Sequence, residues 1–82
     1  LAIRGNRIAL GRSSSNGVTI PDHGISRVHA ELHRNGNGGF SLTDLDSLNG
    51  TFVNEKKVTG TVVVRIGHVL GFGKVRAKIV LP

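Results

Sequence analysis

The stretch Ile25-Ser26-Arg27-Val28-His29-Ala30-Glu31-Leu32 decides the fold, because a polar loop segment in it runs directly into an alternating strand. From residue 28 onward every second residue is apolar, which predicts a strand with one face in a core and the other in solvent. Val28, Ala30 and Leu32 are expected to face inward, and His29, Glu31 and His33 outward. Residues 35–39 are rich in Gly and Asn and predict a turn. Phe40 to Leu45 is then the return strand of a hairpin over residues 28–45.

Outward from this hairpin, the chain continues as short strands separated by turns. Further strands are predicted at residues 7–10, 18–20, 51–53, 62–66 and 75–81, with turns at residues 54–57 and 71–74. In the last strand Arg76 and Lys78 are expected to face solvent. Leu1 to Arg4 is expected to pair with residues 7–10 around a Gly5-Asn6 turn. No stretch has helical periodicity, so the predicted fold is all-β: a two-sheet antiparallel β-sandwich of roughly nine or ten short strands.

The length and composition predict one small domain over residues 1–82. The chain begins at Leu1 rather than Met, and we expect it to be excised from a longer protein. It contains no cysteine, which excludes disulfides and thiolate metal sites and fits a reducing compartment. No apolar run is long enough for a membrane span, and no signal peptide is visible, so an intracellular location, cytoplasmic or nuclear, is expected.

The charge favours an anionic partner. The formal net charge is +6, from 11 Lys and Arg against 5 Asp and Glu, which suits nucleic acid, an acidic membrane surface or a phosphorylated protein. The basic residues are dispersed along the chain, and the only aromatic residues are Phe40, Phe52 and Phe72, which we expect in the core. Readers of single-stranded nucleic acid need exposed aromatic residues, so nucleic acid is the less favoured partner.

Three loops carry small polar or basic groups where a strand meets a loop: Gly11-Arg12, Ser26 and residues 47–51. Arginine is suited to phosphate, so together they suggest one anion-binding surface. A hydrolase triad of Ser26, His29 and Asp44 is disfavoured because the Gly-x-Ser-x-Gly elbow is missing. His29 and His33 would lie about 13 Å apart on a strand, which excludes a shared metal ion. No metal or cofactor is therefore expected.

The ordered set of Gly11-Arg12, Ser26-x-x-His29 and Asn49-Gly50 resembles the forkhead-associated (FHA) domain, a non-catalytic β-sandwich of the FHA/SMAD-like type that binds phosphothreonine peptides. The resemblance covers about residues 7–81. The other matching segments are Ile8-Ala9-Leu10, Ser15-Asn16-Gly17, Pro21-Asp22, Ile25 to Ala30, Asp44 through Asn54, and Lys57-Val58.

The resemblance implies a role for each matching residue. Arg12 would pair with the phosphate, Ser26 would donate its hydroxyl to a phosphate oxygen, and Arg27 would be a second basic contact. Asn49 would hydrogen-bond the peptide backbone beside the phosphothreonine. Gly11, His29 and Gly50 would shape the loops without touching the ligand. The implied partner is a threonine-phosphorylated protein or peptide.

The chain departs from the FHA pattern at three positions. Leu48 stands where the family often has threonine, Asp46 where glycine is common, and His68 where aspartate is common. Two alternatives to phosphopeptide recognition remain: a basic nucleic-acid-binding β-domain, and a structural interaction sandwich whose phosphate site has decayed.

Overall fold

The computed structural model describes residues 5–80, and the regular structure in this range is β-strand. The nine strands are β1 Arg7–Gly11, β2 Val18–Thr19, β3 Ala30–Arg34, β4 Phe40–Asp44, β5 Thr51–Val53, β6 Lys56–Lys57, β7 Thr61–Val64, β8 Val69–Phe72 and β9 Val75–Lys78. Within these residues there is no helix that could cross a membrane.

The strands form two sheets, as the sequence predicts. One sheet has five strands in the order β2-β1-β3-β4-β7, and the other has four in the order β6-β5-β8-β9. All pairs are antiparallel except β1 and β2, which run parallel, with Leu10 opposite Val18. The chain leaves β1, turns back through residues 12–17 and re-enters the sheet beside the same strand. The predicted two-sheet β-sandwich is confirmed, and the pairing of β1 with β2 is the one departure from antiparallel pairing among the described strands.

The core lies between the two sheets and is built from alternate positions of the strands. Leu10, Leu32 and Leu42 contribute from the five-stranded sheet, and Leu70 and Phe72 from the other. Their side chains are at most 1 % exposed, and alternation places their neighbours on the outer faces. Phe40 and Phe72 are buried as expected, whereas Phe52 is only partly buried and faces a groove. The prediction that all three Phe residues belong to the core is therefore wrong for Phe52.

The alternation predicted from residue 28 begins two residues later. Val28 is 46 % exposed, and His29 is fully buried. β3 starts at Ala30, so Val28 and His29 still belong to the preceding loop, where side-chain direction does not follow the period of a strand. The hairpin itself is confirmed, with Leu32 opposite Leu42.

Two predicted turns are shorter in the structure. Residues 54 and 55 form the turn between β5 and β6, and Lys56 and Lys57 belong to β6. Gly71 and Phe72 lie in β8, which leaves Gly73 and Lys74 as the turn before β9. The predicted pairing of residues 1–4 and the position of Leu81 lie outside the described residues.

The topology brings the loops that carry the candidate site to one end of the sandwich. β1 ends beside the start of β3, because Leu10 pairs with Ala30. Ala30 also pairs with Asp44, the last residue of β4. Thr51, the first residue of β5, pairs with Phe72, the last residue of β8. The segments 12–17, 20–29, 45–50 and 73–74 therefore meet at this end.

Candidate functional site

Arg12 follows the last residue of β1 and is tied to the loop before β3. Its backbone N–H donates to the carbonyl oxygen of Ser26 at 3.0 Å. Its side-chain Nε donates to the carbonyl oxygen of Ile25 at 3.2 Å. That bond uses one of the five guanidinium donors, so both terminal amino groups are available to a ligand. Arg12 is exposed.

Gly11 allows the close approach of these two loops. A Cβ at this position would lie 2.2 Å from the carbonyl oxygen of Arg27, a distance that no side chain tolerates. The same carbonyl accepts hydrogen bonds from the backbone of Ser13 at 3.1 Å and from Nδ2 of Asn16 at 2.7 Å. The loop-shaping role expected of Gly11 therefore has a steric cause. The exposed Arg27 contributes its backbone to this junction.

Ser26 links the loop before β3 to the loop after β4. Its Oγ accepts a hydrogen bond from the backbone N–H of Leu48 at 2.9 Å. A hydroxyl that accepts one bond still has its own proton to donate. The backbone of Leu48 thus orients the Ser26 hydroxyl and leaves it competent to bind an anion.

His29 fastens the same two loops from inside the protein. Its Nδ1 accepts the backbone N–H of Ser26 at 3.1 Å, and its Nε2 lies 2.8 Å from the carbonyl oxygen of Gly50. Because Nδ1 is an acceptor, Nε2 carries the proton and donates to Gly50. The ring also meets Phe72 edge-on, with centroids 5.7 Å apart. Both nitrogens are used within the protein, which fits the structural role expected of His29.

Asp44 organises the loop that follows β4. Its carboxylate accepts hydrogen bonds from the hydroxyls of Ser47 at 2.5 Å and Thr51 at 2.7 Å, and from the backbone of Ser47 at 3.3 Å. The Ser47 hydroxyl in turn accepts the N–H of Gly50 at 3.1 Å. Burial raises the pKa of Asp44, but the hydrogen bonds from Ser47 and Thr51 outweigh it and leave the pKa below its ordinary value.

Asn49 and Gly50 complete the end of this loop. Nδ2 of Asn49 donates to the carbonyl oxygen of Gly24 at 2.8 Å, as expected for an amide that holds backbone. Gly50 has φ of 89°, a conformation that favours glycine. Phe52 ring atoms lie 3.2 Å from where a Cβ on Gly50 would be, so the residue is required both by conformation and by space.

A shallow groove of about 560 Å³ starts beside Asn49. Its lining residues are Asp22, Gly24, Asn49, Phe52, Gly73 and Lys74. The partly buried Phe52 ring supplies an apolar surface, and Lys74 supplies a positive charge at the turn after β8. The groove therefore offers an apolar surface and a positive charge next to Asn49.

Comparison with known proteins agrees with this geometry. The profile of the FHA domain matches residues 8–73. This range includes the loop residues described above and all of the groove residues except Lys74. The chain belongs to the FHA family.

Two relatives of this FHA domain are named as an inhibitor and as a regulator. It is 37 % identical over 68 residues to an oxoglutarate dehydrogenase inhibitor from Corynebacterium jeikeium, covering 83 % of this chain and 46 % of the relative. It is 38 % identical over 66 residues to the glycogen accumulation regulator GarA from Mycolicibacterium smegmatis, covering 80 % of this chain and 40 % of that protein. The chain thus spans less than half the length of either relative.

Solved FHA structures share its architecture. A structure from work on phosphothreonine-dependent FHA interactions superposes with a TM-score of 0.85 at 31 % identity, covering 98 % of this chain and 82 % of the other. The FHA domain of FhaA, solved in complex with the intracellular domain of Rv3910, gives 0.82 at 32 % identity, covering 93 % and 81 %.

The structure accounts for two departures of this FHA domain from the family pattern. Asp46, at a position where glycine is common, has φ of 53°, a region that Asp tolerates better than most residues. His68, at a position where aspartate is common, accepts the backbone N–H of Arg65 through Nδ1 at 3.1 Å. An aspartate carboxylate could accept the same bond, so His68 preserves a turn far from the site.

Leu48 is a different case. Its side chain is 85 % exposed at the tip of the loop, while its backbone binds Ser26. The third departure therefore changes the surface of the FHA site without changing the loop geometry.

Sequence reasoning assigned no structural role to Asn16, Asp44 or Arg76, although Asn16 and Asp44 lie in segments that match the FHA pattern. Asn16 joins its own loop to Arg27, Asp44 ties the loop after β4, and Arg76 contacts the turn at Gly73. The signal for Asp44 was present, because Asp44, Ser47 and Thr51 are spaced as in a side-chain-capped loop. The sequence does not indicate the contacts of Arg76, because the alternation of the last strand predicts only that its side chain faces solvent.

Proposed function

We propose that this chain is a non-catalytic module that binds phosphothreonine peptides, with Arg12 and Ser26 holding the phosphate. The observation that carries the proposal is the bonding of Arg12 to the segment that contains Ser26, through its backbone at 3.0 Å and its side chain at 3.2 Å. Two groups suited to phosphate are thereby fixed to one short loop, and one of them is an exposed arginine.

The chemistry at this point suits a phosphate dianion. Arg12 can form charge-assisted hydrogen bonds through its terminal amino groups, and the Ser26 hydroxyl can add a donor. Because main-chain bonds hold both loops in place, little side-chain and loop ordering is left to occur on binding. The exposed Arg27 is a second basic residue close enough in the chain to contact phosphate or peptide.

The rest of the peptide is expected to cross Asn49 and enter the groove. The Asn49 amide uses one N–H on Gly24, which leaves its other N–H and its oxygen for the peptide backbone. Residues next to the phosphothreonine would then contact Phe52 and Lys74, which line the groove. A partner of this kind requires a Ser/Thr kinase, so the proposed setting is intracellular.

The bonding of His29 supports binding rather than hydrolysis. A Ser-His pair that activates a nucleophile needs a bond between the hydroxyl and a ring nitrogen. Here Nδ1 accepts the backbone N–H of Ser26, Nε2 donates to Gly50, and the Ser26 hydroxyl accepts from Leu48. His29 therefore has a positioning role in the proposed site.

The direct test is a screen of the chain against a degenerate peptide library centred on phosphothreonine. The best peptide is then synthesised with phosphothreonine, phosphoserine or threonine at the centre and titrated by calorimetry, next to a mixed-sequence DNA duplex. We expect the phosphothreonine peptide to bind most tightly and the threonine peptide not to bind. Equal binding of the phosphorylated and unphosphorylated peptides, or tighter binding of the duplex, would contradict the proposal.

A further inference from the structure

Arg76 connects three parts of the protein through one guanidinium group. Nε and Nη2 form a fork on the Glu55 carboxylate at 2.8 and 2.9 Å. Nη1 donates to the carbonyl oxygen of Gly73 at 2.7 Å. The Cζ atom lies 5.5 Å from the centre of the Phe52 ring. Arg76 thus contacts the turn after β5, the turn after β8 and the ring that lines the groove.

The sheet makes room for this arrangement at Gly71. In the register of the four-stranded sheet, Phe52 lies opposite Gly71, and Gly71 lies opposite Arg76. A Cβ on Gly71 would lie 2.7 Å from Nη1 of Arg76 and 3.1 Å from Cβ of Phe52. Because Gly71 has no side chain, the guanidinium can lie across the strand beside the Phe52 ring.

Glu55 has a backbone conformation that is unfavourable for glutamate, and its carboxylate binds Arg76. Asn54 and Glu55 have φ of 48° and 68°. A two-residue turn of this kind favours Gly or Asn at both positions, and Glu is poorly suited to it. Backbone strain of this type persists where the surroundings over-determine it, often next to functional sites. The fork on Arg76 is the interaction that only a long acidic side chain can make there.

The contacts of Arg76 are connected by further hydrogen bonds to the loops that contain Gly50 and Ser26. The backbone N–H of Gly73 donates to the carbonyl oxygen of Gly50 at 3.0 Å. That same carbonyl accepts Nε2 of His29 at 2.8 Å, and Nδ1 of His29 accepts the N–H of Ser26. A continuous set of hydrogen bonds therefore runs from the exposed Glu55 to the residue proposed to bind phosphate.

We propose that Arg76, held by Glu55, is a positioning residue for peptide binding: it fixes the Gly73 turn and the Phe52 ring so that the groove and the loop at Gly50 keep their binding geometry. The inference rests on the proposed phosphopeptide function and deepens it. It assigns a role in binding to an ion pair on the outer face of a sheet, where neither residue need touch the ligand.

The discriminating variant is Glu55→Asn, because Asn tolerates the left-handed backbone but cannot reach Arg76 with a carboxylate. We expect its melting temperature to equal or exceed that of the wild type, since the strain is relieved. Its affinity for the best phosphothreonine peptide should fall by about threefold, a factor within the range that an exposed ion pair can contribute. Hydrogen exchange at the Gly73 amide, measured by NMR, should become faster.

The matched control is Glu31→Asn, which breaks the ion pair of Glu31 with Arg7 at 3.5 Å on the other sheet. It should change neither peptide affinity nor exchange at Gly73. Unchanged affinity in Glu55→Asn, or an equal loss in Glu31→Asn, would overturn the inference.

Arg76→Lys separates positioning from simple charge. Lysine keeps the positive charge but cannot bind Glu55 and Gly73 together in the geometry of the fork. We expect Arg76→Lys to lose affinity as Glu55→Asn does, and wild-type binding by this variant would overturn the inference. Exchange at Gly73 needs no ligand, so it tests the positioning contact even if the wild type binds no phosphopeptide, a result that would refute the proposed function instead.

Discussion

At the scale of single residues, His29 stabilises the protein by binding backbone groups of two different loops. It is fully buried, and its ring nitrogens bond the backbone of Ser26 and Gly50. His29→Ala would leave that N–H and that carbonyl without their partner, so we expect the free energy of unfolding to fall by about 1–3 kcal/mol. Chemical denaturation measures this change.

The control for this substitution is His33→Ala, because His33 is exposed on β3. It should leave the unfolding free energy nearly unchanged. If His29→Ala is as stable as His33→Ala and only phosphopeptide affinity collapses, His29 is a ligand contact and its structural assignment is wrong.

Leu48 presents the opposite situation, a side chain that contributes little to the fold at the edge of the proposed phosphate site. It is 85 % exposed, so replacement should not disturb packing. Leu48→Thr places a hydroxyl where the FHA family often has one, and we expect phosphopeptide affinity to rise by up to ~1.5 kcal/mol. Valine has the branched shape of threonine without the hydroxyl, so Leu48→Val should give no comparable gain in affinity. Equal affinities of the two variants would show that residue 48 does not reach the phosphate.

At the scale of elements, the loop from β4 to β5 depends on an ionised Asp44. The pKa of Asp44 is lowered in the folded protein, despite the opposing effect of burial, by hydrogen bonds from Ser47 and Thr51. A lowered folded-state pKa gives stability that is present above the unfolded value, about 3.9, and lost as pH falls through the folded value. We therefore expect stability to decline in acid below about pH 4.

Asp44→Asn tests this contribution, because the amide cannot ionise. We expect the variant to be less stable at pH 7 by roughly 1 kcal/mol, since charge-assisted bonds become neutral ones. The difference from the wild type should narrow as the pH is lowered. A difference in unfolding free energy that stays constant from pH 7 to about pH 3 would contradict the role of the carboxylate.

Much of the fold could be predicted from the sequence, because strands with one buried face leave a period of two. The hairpin of β3 and β4 and the alternation of β9 follow from that period. The pattern failed where a residue lies just outside a strand. Val28 and His29 precede β3, and their side chains take directions set by loop hydrogen bonds rather than by the sheet.

The residue types of the candidate site could be predicted from the sequence, but the hydrogen bonds that join its loops could not. Arg12, Ser26 and Asn49 stand out as polar residues at the ends of strands, whereas the bonds among them depend on which loops meet. The fork of Arg76 on Glu55 joins residues 21 positions apart, and strand register alone brings them together. The parallel pairing of β1 and β2 likewise results from a loop that returns to its own strand.

At the scale of the whole molecule, the sandwich places the apolar core and the candidate site in different parts of the protein. The core lies between the sheets, while the loops meet at one end and are joined by main-chain bonds. The net charge of +6 gives the surface an attraction for any anionic partner. A specific phosphate site must therefore be distinguished from a general preference for anions.

The most direct measurement is the affinity of Arg12→Ala for the best phosphothreonine peptide, with Arg65→Ala as the control. Both arginines are exposed, but Arg65 follows β7 at the opposite end of the sandwich. Removing Arg12 leaves the phosphate without its main charged partner, so we expect a loss of at least ~2 kcal/mol, about thirtyfold in affinity, with the fold retained. Arg65→Ala should bind almost as the wild type does. If both variants lose affinity equally and slightly, binding arises from the diffuse basic surface, and the phosphate site does not lie at Arg12.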